Sequence, residues 1–561
     1  MKNNKIQIFV IGAMGVVVFV LVFFGIVLTR NAGKSKKTIN TESAAKVIER
    51  YVKNIGPRQA EVIKSPVELA NSRVDELPDI DTNEITVQPN TILYAEIFAT
   101  SEKCGPGRDG WINEMAKKFN NAGYEVKGEP VSVMIRSVAS GLGMDYISTG
   151  KYVPDGYTPS NDFWSKMLIA DGVQMETVSD RLVDNTAGIL LSKDTHKRLV
   201  EKYGSINLKT IVEATANGEF AMGYTNPYAS ATGLNFLIST LQTYNVQDPL
   251  SSDAVEGFQS FQSNVPFVAY TTLQMRDAAE TGTLDGFVME YQTYINDSEL
   301  VRKYEFTPFG FLHTNPLYTT SETEETKKEI LRQFAQFCQT EENQKLAKEY
   351  GFNVDLNYTV EQREVDGTTL LNAQELWKKE KDSGKPILAV FVADVSGSMD
   401  GEPLNSLKTS LINGMQYINT TNYVGLVSYS DEVVINVPVG QFNLNQQSAF
   451  KGAVESLSAS GGTATFDGII VATDMLLAAK EQYPDAKLMM FVLSDGETNR
   501  GYSLKDIQES IDALNIPIYT IGYNADIPAL ESISAINEAA SINADSDDVV
   551  YKLKNLFNSS L

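Results

Sequence analysis

Residues 387–396 read ILAVFVADVS. A continuous apolar run of this length, closed by polar residues, is the pattern of a strand buried on both faces in the middle of a parallel sheet. Such a strand commits the chain around it to alternate strands with helices. The neighbouring sequence complies. PLNSLKTSLINGMQYI is amphipathic and helical. YVGLVSYS and VVINVPV read as strands, arranged as a hairpin around Ser430-Asp431-Glu432. Helical stretches flank SASGGTATFDG. AKLMMFVLSDGE is a second buried strand with a polar end, and IPIYTIGY is a fifth strand. The alternation implies a doubly wound α/β domain with a parallel core.

In an open sheet of this kind, sites form beyond the carboxyl ends of the strands. Three segments meet there. Asp394, Ser396 and Ser398 follow the first strand on alternate positions, Thr463 lies in the glycine-rich SGGTAT, and Asp495 ends AKLMMFVLSD. Together they offer three hydroxyls and two carboxylates. An all-oxygen set suits Mg²⁺ or Mn²⁺ rather than zinc or copper. With few formal charges around it, the ion stays electrophilic and open to a carboxylate from a partner. The plainer alternative is a set of polar strand ends with no metal. Asp400 and Glu402, close behind, read as solvated, and Asp467 reads as a first-turn charge favoured by the helix dipole.

Residues 385–561 resemble a von Willebrand factor type A domain. D-x-S-x-S as DVSGS, the threonine of GGTAT and the strand-terminal aspartate of LSDGE occur in order. The resemblance implies a Rossmann-like doubly wound fold with a metal-ion-dependent adhesion site. It implies direct ligation by Ser396 and Ser398, with Thr463 bound directly or through water. It implies that Asp394 and Asp495 act mainly through water.

A second α/β block, residues 90–354, precedes it. It resembles a bacterial extracellular solute-binding protein of the two-lobed periplasmic kind. The resemblance rests on FATSEKCGPGRDGWINEMAKKFN, on the Ser140-Gly141 step, on PDGYTPS ahead of Trp164, on GYTNPYASATGLNFL and on the helices of SETEETKKEILRQFAQFCQTEENQKLAKEYGF. Small hydroxyl residues near helix starts can hold anions or polar groups without charged side chains. The cluster Thr225, Asn226, Ser230, Thr232 and Gly233 is the candidate ligand loop, and Ser101, Ser140 and Ser160 join it from other loops. The competing reading of each is an ordinary helix cap.

The remaining sequence bounds the function. Residues 6–29 are uncharged and long enough to span a bilayer, which predicts a signal-anchor helix, with a cleaved signal as the alternative. Residues 30–89 read as a stalk and 355–384 as a linker between the two blocks. Arg30 and the lysines at 34, 36 and 37 outweigh Lys2 and Lys5, which favours a cytoplasmic body. The solute-binding resemblance instead places a single-pass protein's body outside the cell membrane. The chain carries 71 acidic against 47 basic residues, a formal charge of −24, so nucleic acid is not an expected partner. Two cysteines, Cys104 and Cys338, form no CxxC motif and are either one disulfide or two buried thiols. The two histidines stand alone, and no nucleophile–base pair or phosphate loop appears, so an enzyme is not expected. Two functions remain. One is an anchored surface protein gripping a protein partner through its divalent ion. The other is a solute sensor or transport accessory, in which a cleft for a small polar or anionic solute is primary.

Overall fold

The computed structural model describes residues 40–67, 77, 79–220, 222–265, 267–269, 275, 285–381, 385–415, 418–496, 498–522 and 541–543. The described chain opens with helix α1 (Thr41–Ile55) and strand β1 (Arg58–Gln59). Next come β2 (Ile85–Val87), β3 (Leu93–Ala99), α2 (Trp111–Asn121), β4 (Glu125–Val126), β5 (Glu129–Ser137) and α3 (Ser140–Thr149). They are followed by β6 (Gly156–Thr158), α4 (Phe163–Ala170) and β7 (Met175–Ser179). With β13 (Leu317–Thr320), these strands make a first lobe around the sheet β2-β5-β3-β6-β13-β7, with β4 paired to β5. The second lobe takes β8 (Asn185–Ser192), β9 (Met222–Thr225), α5 (Ala231–Tyr244), α6 (Ser252–Gln262), β10 (Phe267–Ala269), β11 (Gly286–Glu290) and β12 (Tyr304–His313). Its sheet order is β10-β9-β11-β8-β12. The chain crosses between lobes near residues 180–185 and 313–317. There the Leu182 amide donates to the carbonyls of Thr314 and Asn315. Helix α7 (Glu325–Cys338) closes the first lobe.

Helix α8 (Gly367–Glu380) follows. The C-terminal domain then comprises β14 (Ile387–Asp394), α9 (Glu402–Gly414), β15 (Tyr423–Tyr429), β16 (Val433–Gln441), α10 (Leu444–Ser456), α11 (Thr465–Gln482), β17 (Lys487–Ser494), α12 (Leu504–Leu514), β18 (Ile518–Gly522) and β19 (Ser541–Asn543). Its seven-stranded sheet runs β1-β16-β15-β14-β17-β18-β19. β14 lies in the middle, parallel to β15 and β17, and β15–β16 is the antiparallel hairpin. The continuous apolar run now has its cause. Ile387, Ala389, Phe391 and Ala393 face one helical layer with Leu407, Leu411 and Phe450. Leu388, Val390 and Val392 face the other, with Ile469, Ile470 and Ile511. A strand buried on both sides has no polar alternation to show.

Three sequence expectations need correction. First, a transmembrane helix was expected, and no helix among the described residues is long and apolar enough to cross a membrane. The span 6–29 itself lies outside the described residues.

Second, residues 41–66 do not stand off as a stalk. Asn40 caps α1 by accepting from the Ser43 amide. Ala44 and Ile48 are fully buried, and Ile48 packs with Tyr51, Val52 and Ile55 in the same core layer as α11 and α12. Tyr51 meets Tyr502 at 4.4 Å between ring centres. β1 then adds to the edge of β16, pairing Arg58 with Val434 and Gln59 with Ile435. Ser65 and Ser448 exchange two hydrogen bonds, of 3.1 and 2.8 Å. The apolar positions of α1 recur every three or four residues, but its partner surface is distant in sequence.

Third, the linker contains a docked element. Leu370, Ala373 and Trp377 of α8 are fully buried. They belong to a core layer shared by both lobes.

Cys104 and Cys338 are both free and buried in the first lobe. Burial pushes the Cys104 thiol up to about 12 and raises that of Cys338 further. Neither is a reactive thiolate near neutral pH.

Candidate functional site

The carboxyl ends of β14 and β17 bring the metal candidates to one rim of the C-terminal sheet. Asp394 is paired in register with Tyr429 of β15, and Ala393 with Leu493 of β17. The Asp394 side chain therefore ends between Tyr429 and Ser494. It is fully buried. Its Oδ1 accepts from the Ser396 amide at 2.8 Å. Its Oδ2 accepts from the Tyr429 hydroxyl at 3.1 Å and the Ser494 hydroxyl at 2.6 Å. Burial pushes this carboxyl above its ordinary range. The bonds from Ser494 and Ser396 oppose the shift, and the nearby Asp495 charge adds to it.

Beyond the strand, a single turn brings the Ser396 and Ser398 hydroxyl oxygens to 3.0 Å. Ser396 is buried and Ser398 exposed, so the pair spans from core to solvent. Met399, fully buried, pins the turn from below.

The threonine loop docks onto this turn through its backbone. Gly397 donates to the Gly461 carbonyl at 3.0 Å, and Ser460 donates to the Val395 carbonyl at 2.8 Å. Gly461 has φ +80°, and a Cβ there would lie 2.5 Å from an Asp431 carboxylate oxygen. Asp431 accepts from the Gly462 amide at 3.0 Å and pairs with Arg500 at 2.7 Å. Thr463 is buried. Its amide donates to the Asn499 side chain at 3.0 Å, and its carbonyl accepts from Thr498, Asn499 and Arg500. These bonds fix the Thr463 backbone without using its hydroxyl. Asp495 is half-buried directly after β17. Asp400 and Glu402 are exposed. Asp467 does more than favour a helix start. Its carboxylate accepts the Tyr502 amide at 2.8 Å and holds the 500–502 loop, while burial raises its pKa.

The arrangement supplies clustered neutral oxygens on a rigid turn, backed by one buried and one half-buried carboxylate. That donor set fits a hard divalent cation. Among the described residues no group of three or more His, Cys, Asp or Glu side chains could hold a metal. The hydroxyls would therefore have to share any coordination.

The solute-site candidates are placed at the junction of the two lobes, where most serve the protein itself. The Thr225 hydroxyl donates to Ser230 at 3.0 Å, and Ser230 caps α5 by accepting from the Gly233 amide. Gly233 is required there, since a Cβ would lie 2.1 Å from the Thr225 carbonyl oxygen. Thr232 donates to Glu290 at 2.9 Å. The carbonyl of Ser140 accepts from the Tyr157 hydroxyl at 2.6 Å. The Ser160 hydroxyl lies 3.4 Å from that of Thr100. Ser101 starts a short helix, Ser101–Cys104, and is half-buried. Asn226 differs. Its Oδ1 accepts from the Tyr228 amide, while its buried Nδ2 has no protein partner. The same holds for Asn161, whose Oδ1 accepts from Phe163 and whose Nδ2 is unpartnered.

Sequence reasoning missed a charged group at this junction. Glu290, at the end of β11, accepts from Thr232, Asn185 and His313, the last at 3.0 Å. Burial pushes the Glu290 carboxyl up, but His313, Thr232 and Lys103 together hold it below its ordinary value. Lys103, fully buried in the first lobe, donates to the Pro159 carbonyl at 3.1 Å and to Asn315 at 3.0 Å. The rule that sites gather at strand carboxyl ends would have found Glu290. It would have found His313 too, which ends β12 and lies 3.0 Å from the Asn235 side chain of α5.

Burial lowers the Lys103 ammonium to about 7, against the pull of Glu102 and Glu290. Below that pH both folded and unfolded chains carry the charge, and the folded state bears the full cost of burying it. Between about 7 and the ordinary value of about 10.4 the unfolded chain binds more protons, so this group makes stability rise with pH. We expect Lys103→Met to remove that rise from the wild-type curve over pH 7–10, read by urea unfolding. Parallel curves for the two proteins would show that Lys103 is not desolvated.

Family models match two segments. Residues 104–353 match the bacterial extracellular solute-binding protein model, and residues 389–558 match the von Willebrand factor type A domain model. The chain thus carries both domains in this order, and both are as a rule binding modules. Inter-alpha-trypsin inhibitor heavy chain H4 of Sus scrofa is 30% identical over 190 residues, covering 32% of this chain and 20% of its own length. Uncharacterized protein sll0103 of Synechocystis is 25% identical over 189 residues, covering 33% and 42%. The chain therefore spans well under two thirds of these relatives. Among solved structures, a periplasmic thiamin binding protein aligns at 12% identity and TM-score 0.38, over 53% of this chain and 98% of its own. A von Willebrand factor type A protein from Catenulispora acidiphila aligns at 17% identity and TM-score 0.28, over 31% and 42%.

Proposed function

We propose that the protein is a binding protein that grips a protein partner outside the cytoplasm through a divalent cation on the rim of its C-terminal sheet. The observation that carries this reading is the Ser396–Ser398 hydroxyl pair, 3.0 Å apart and half open to solvent, directly above the buried Asp394 carboxylate. Ser396, Ser398 and Thr463 would hold Mg²⁺ or Mn²⁺, with Asp394 and Asp495 supplying charge from behind. Bound there, the ion supplies a Lewis-acidic position for a partner's carboxylate. The chain's own contribution is rigidity. Asp394 is fixed by three hydrogen bonds, and the threonine loop is tied to the DVSGS turn by two backbone bonds.

The test is capture of partners by the full chain from its own cells, in Mg²⁺ and in EDTA, beside Ser396→Ala. A protein retained only in Mg²⁺ and lost with the variant is the expected result. Equal capture in all conditions overturns the reading.

A second reading is favoured by the buried, unpartnered side-chain amides of Asn161 and Asn226, one on each lobe. Buried polar groups are seldom left unpaired, and a small solute rich in acceptor oxygens would satisfy both. Solute binding by the same protein that survives EDTA and is lost in Asn226→Leu would support this cleft as primary.

A further inference from the structure

The two lobes already touch where a cleft would open. The Gly141 amide, at the start of α3 in the first lobe, donates to the Ala229 carbonyl of the second lobe at 3.2 Å. The approach is so close that a Cβ on Gly141 would lie 1.8 Å from the Tyr228 carbonyl oxygen.

Helix α8 lies across both partners of this contact. Towards the first lobe, Gly367 sits against the Lys166 carbonyl of α4, where a Cβ would come within 2.0 Å of the oxygen. Just ahead of the helix, Glu364 pairs with Lys166 at 2.8 Å. Towards the second lobe, the Gln374 side chain donates to the Pro227 carbonyl at 2.8 Å, and the Trp377 indole donates to the Tyr224 hydroxyl at 2.6 Å. Pro227 lies in the same 226–230 loop that carries Ala229 into the first lobe. The Trp377 ring also stands 6.0 Å from that of Tyr228.

We propose that α8 is a latch holding the two lobes closed. The lobes cannot separate at Gly141–Ala229 while α8 keeps its seat on both α4 and the 226–230 loop. Opening therefore requires α8 to leave its seats, each of which includes a fully buried apolar residue or a backbone contact too close for any side chain. The latch stands whichever site binds the partner. It also lies immediately ahead of β14 in the chain, so release would lengthen the tether of the C-terminal domain.

Hydrogen exchange followed by mass spectrometry on the full chain tests this. Segments 138–150, 223–232 and 367–380 report α3, the closing loop and α8. If α8 is the latch, all three exchange in one opening event in the wild type. Gly367→Val has no room against α4 and overpacks that seat, and we expect it to speed exchange in all three segments together, by about fivefold to a hundredfold. Two results overturn the proposal. One is exchange of α3 and the loop while α8 stays protected. The other is faster exchange of α8 alone in the variant. If Gly367→Val does not fold, the wild-type comparison decides by itself.

Discussion

Ile48→Ala is expected to destabilise the C-terminal domain by about 2–5 kcal/mol, although position 48 precedes the whole two-lobed domain. Ile48 is fully buried, and its neighbours in the core are residues of β14, α11, β17 and α12. Truncation to alanine would leave a cavity beneath α1 that a helix held by its caps and by β1 cannot easily collapse. The control lies two residues away, on a different face of the helix. Lys46 is exposed and pairs only with Glu42, so Lys46→Ala should stay within about 0.5 kcal/mol. Urea unfolding of the full chain, followed by exchange protection within 387–394, separates the two. If both variants unfold alike, α1 is not part of the domain's core. The same contacts predict that residues 385–561 alone are less stable than with a peptide of residues 40–66 added. The peptide should restore both the α1 layer and the strand on the β16 edge. An unprotected edge is otherwise a site for association between chains.

The parts that were readable in sequence share a physical cause, and so do the parts that were not. β14 declared itself because both its faces are buried, which forces an unbroken apolar run. Asp394, Ser396 and Ser398 then followed from chain continuity, since a strand's own end must lie at the sheet rim. α1 and α8 were not legible as members of a core, and their segments read as stalk and linker. Their apolar stripes show that a face is buried without showing against what. The cluster Thr225, Ser230 and Gly233 was legible as small polar residues near a helix start, and capping explains it fully. Lys103, Glu290 and His313 were illegible as a group, because each is brought in by a different segment of the two lobes. Local pattern reports what one element needs and is silent on which distant element supplies it.

Asp394→Asn should weaken Mg²⁺ binding by roughly 10–100-fold while keeping the domain folded, and it is a sharper probe than Asp394→Ala. The buried carboxylate accepts from the Ser396 amide on one oxygen and from Tyr429 and Ser494 on the other. Asparagine keeps the shape and one acceptor. Its amide group then faces two hydroxyls that can rotate to accept. Alanine strands all three donors in a site from which water is excluded, at about 1–3 kcal/mol for each group left unpaired. A loss of binding in Asp394→Ala would therefore confuse metal affinity with stability.

The asparagine variant separates them, because the two effects have opposite signs. Without metal, the wild type buries a negative charge beside Asp495, and removing that charge should leave the variant at least as stable in EDTA. With Mg²⁺ at about a hundred times the wild-type dissociation constant, the wild type gains about 2.7 kcal/mol from binding. The variant, weakened as above, gains only about 0.4–1.4 kcal/mol. The order of melting temperatures should then reverse between EDTA and Mg²⁺, with calorimetric titration giving the affinities directly. A variant that binds Mg²⁺ like the wild type, or an order that never reverses, would mean that Asp394 serves the fold alone and that the hydroxyl pair above it is an ordinary turn.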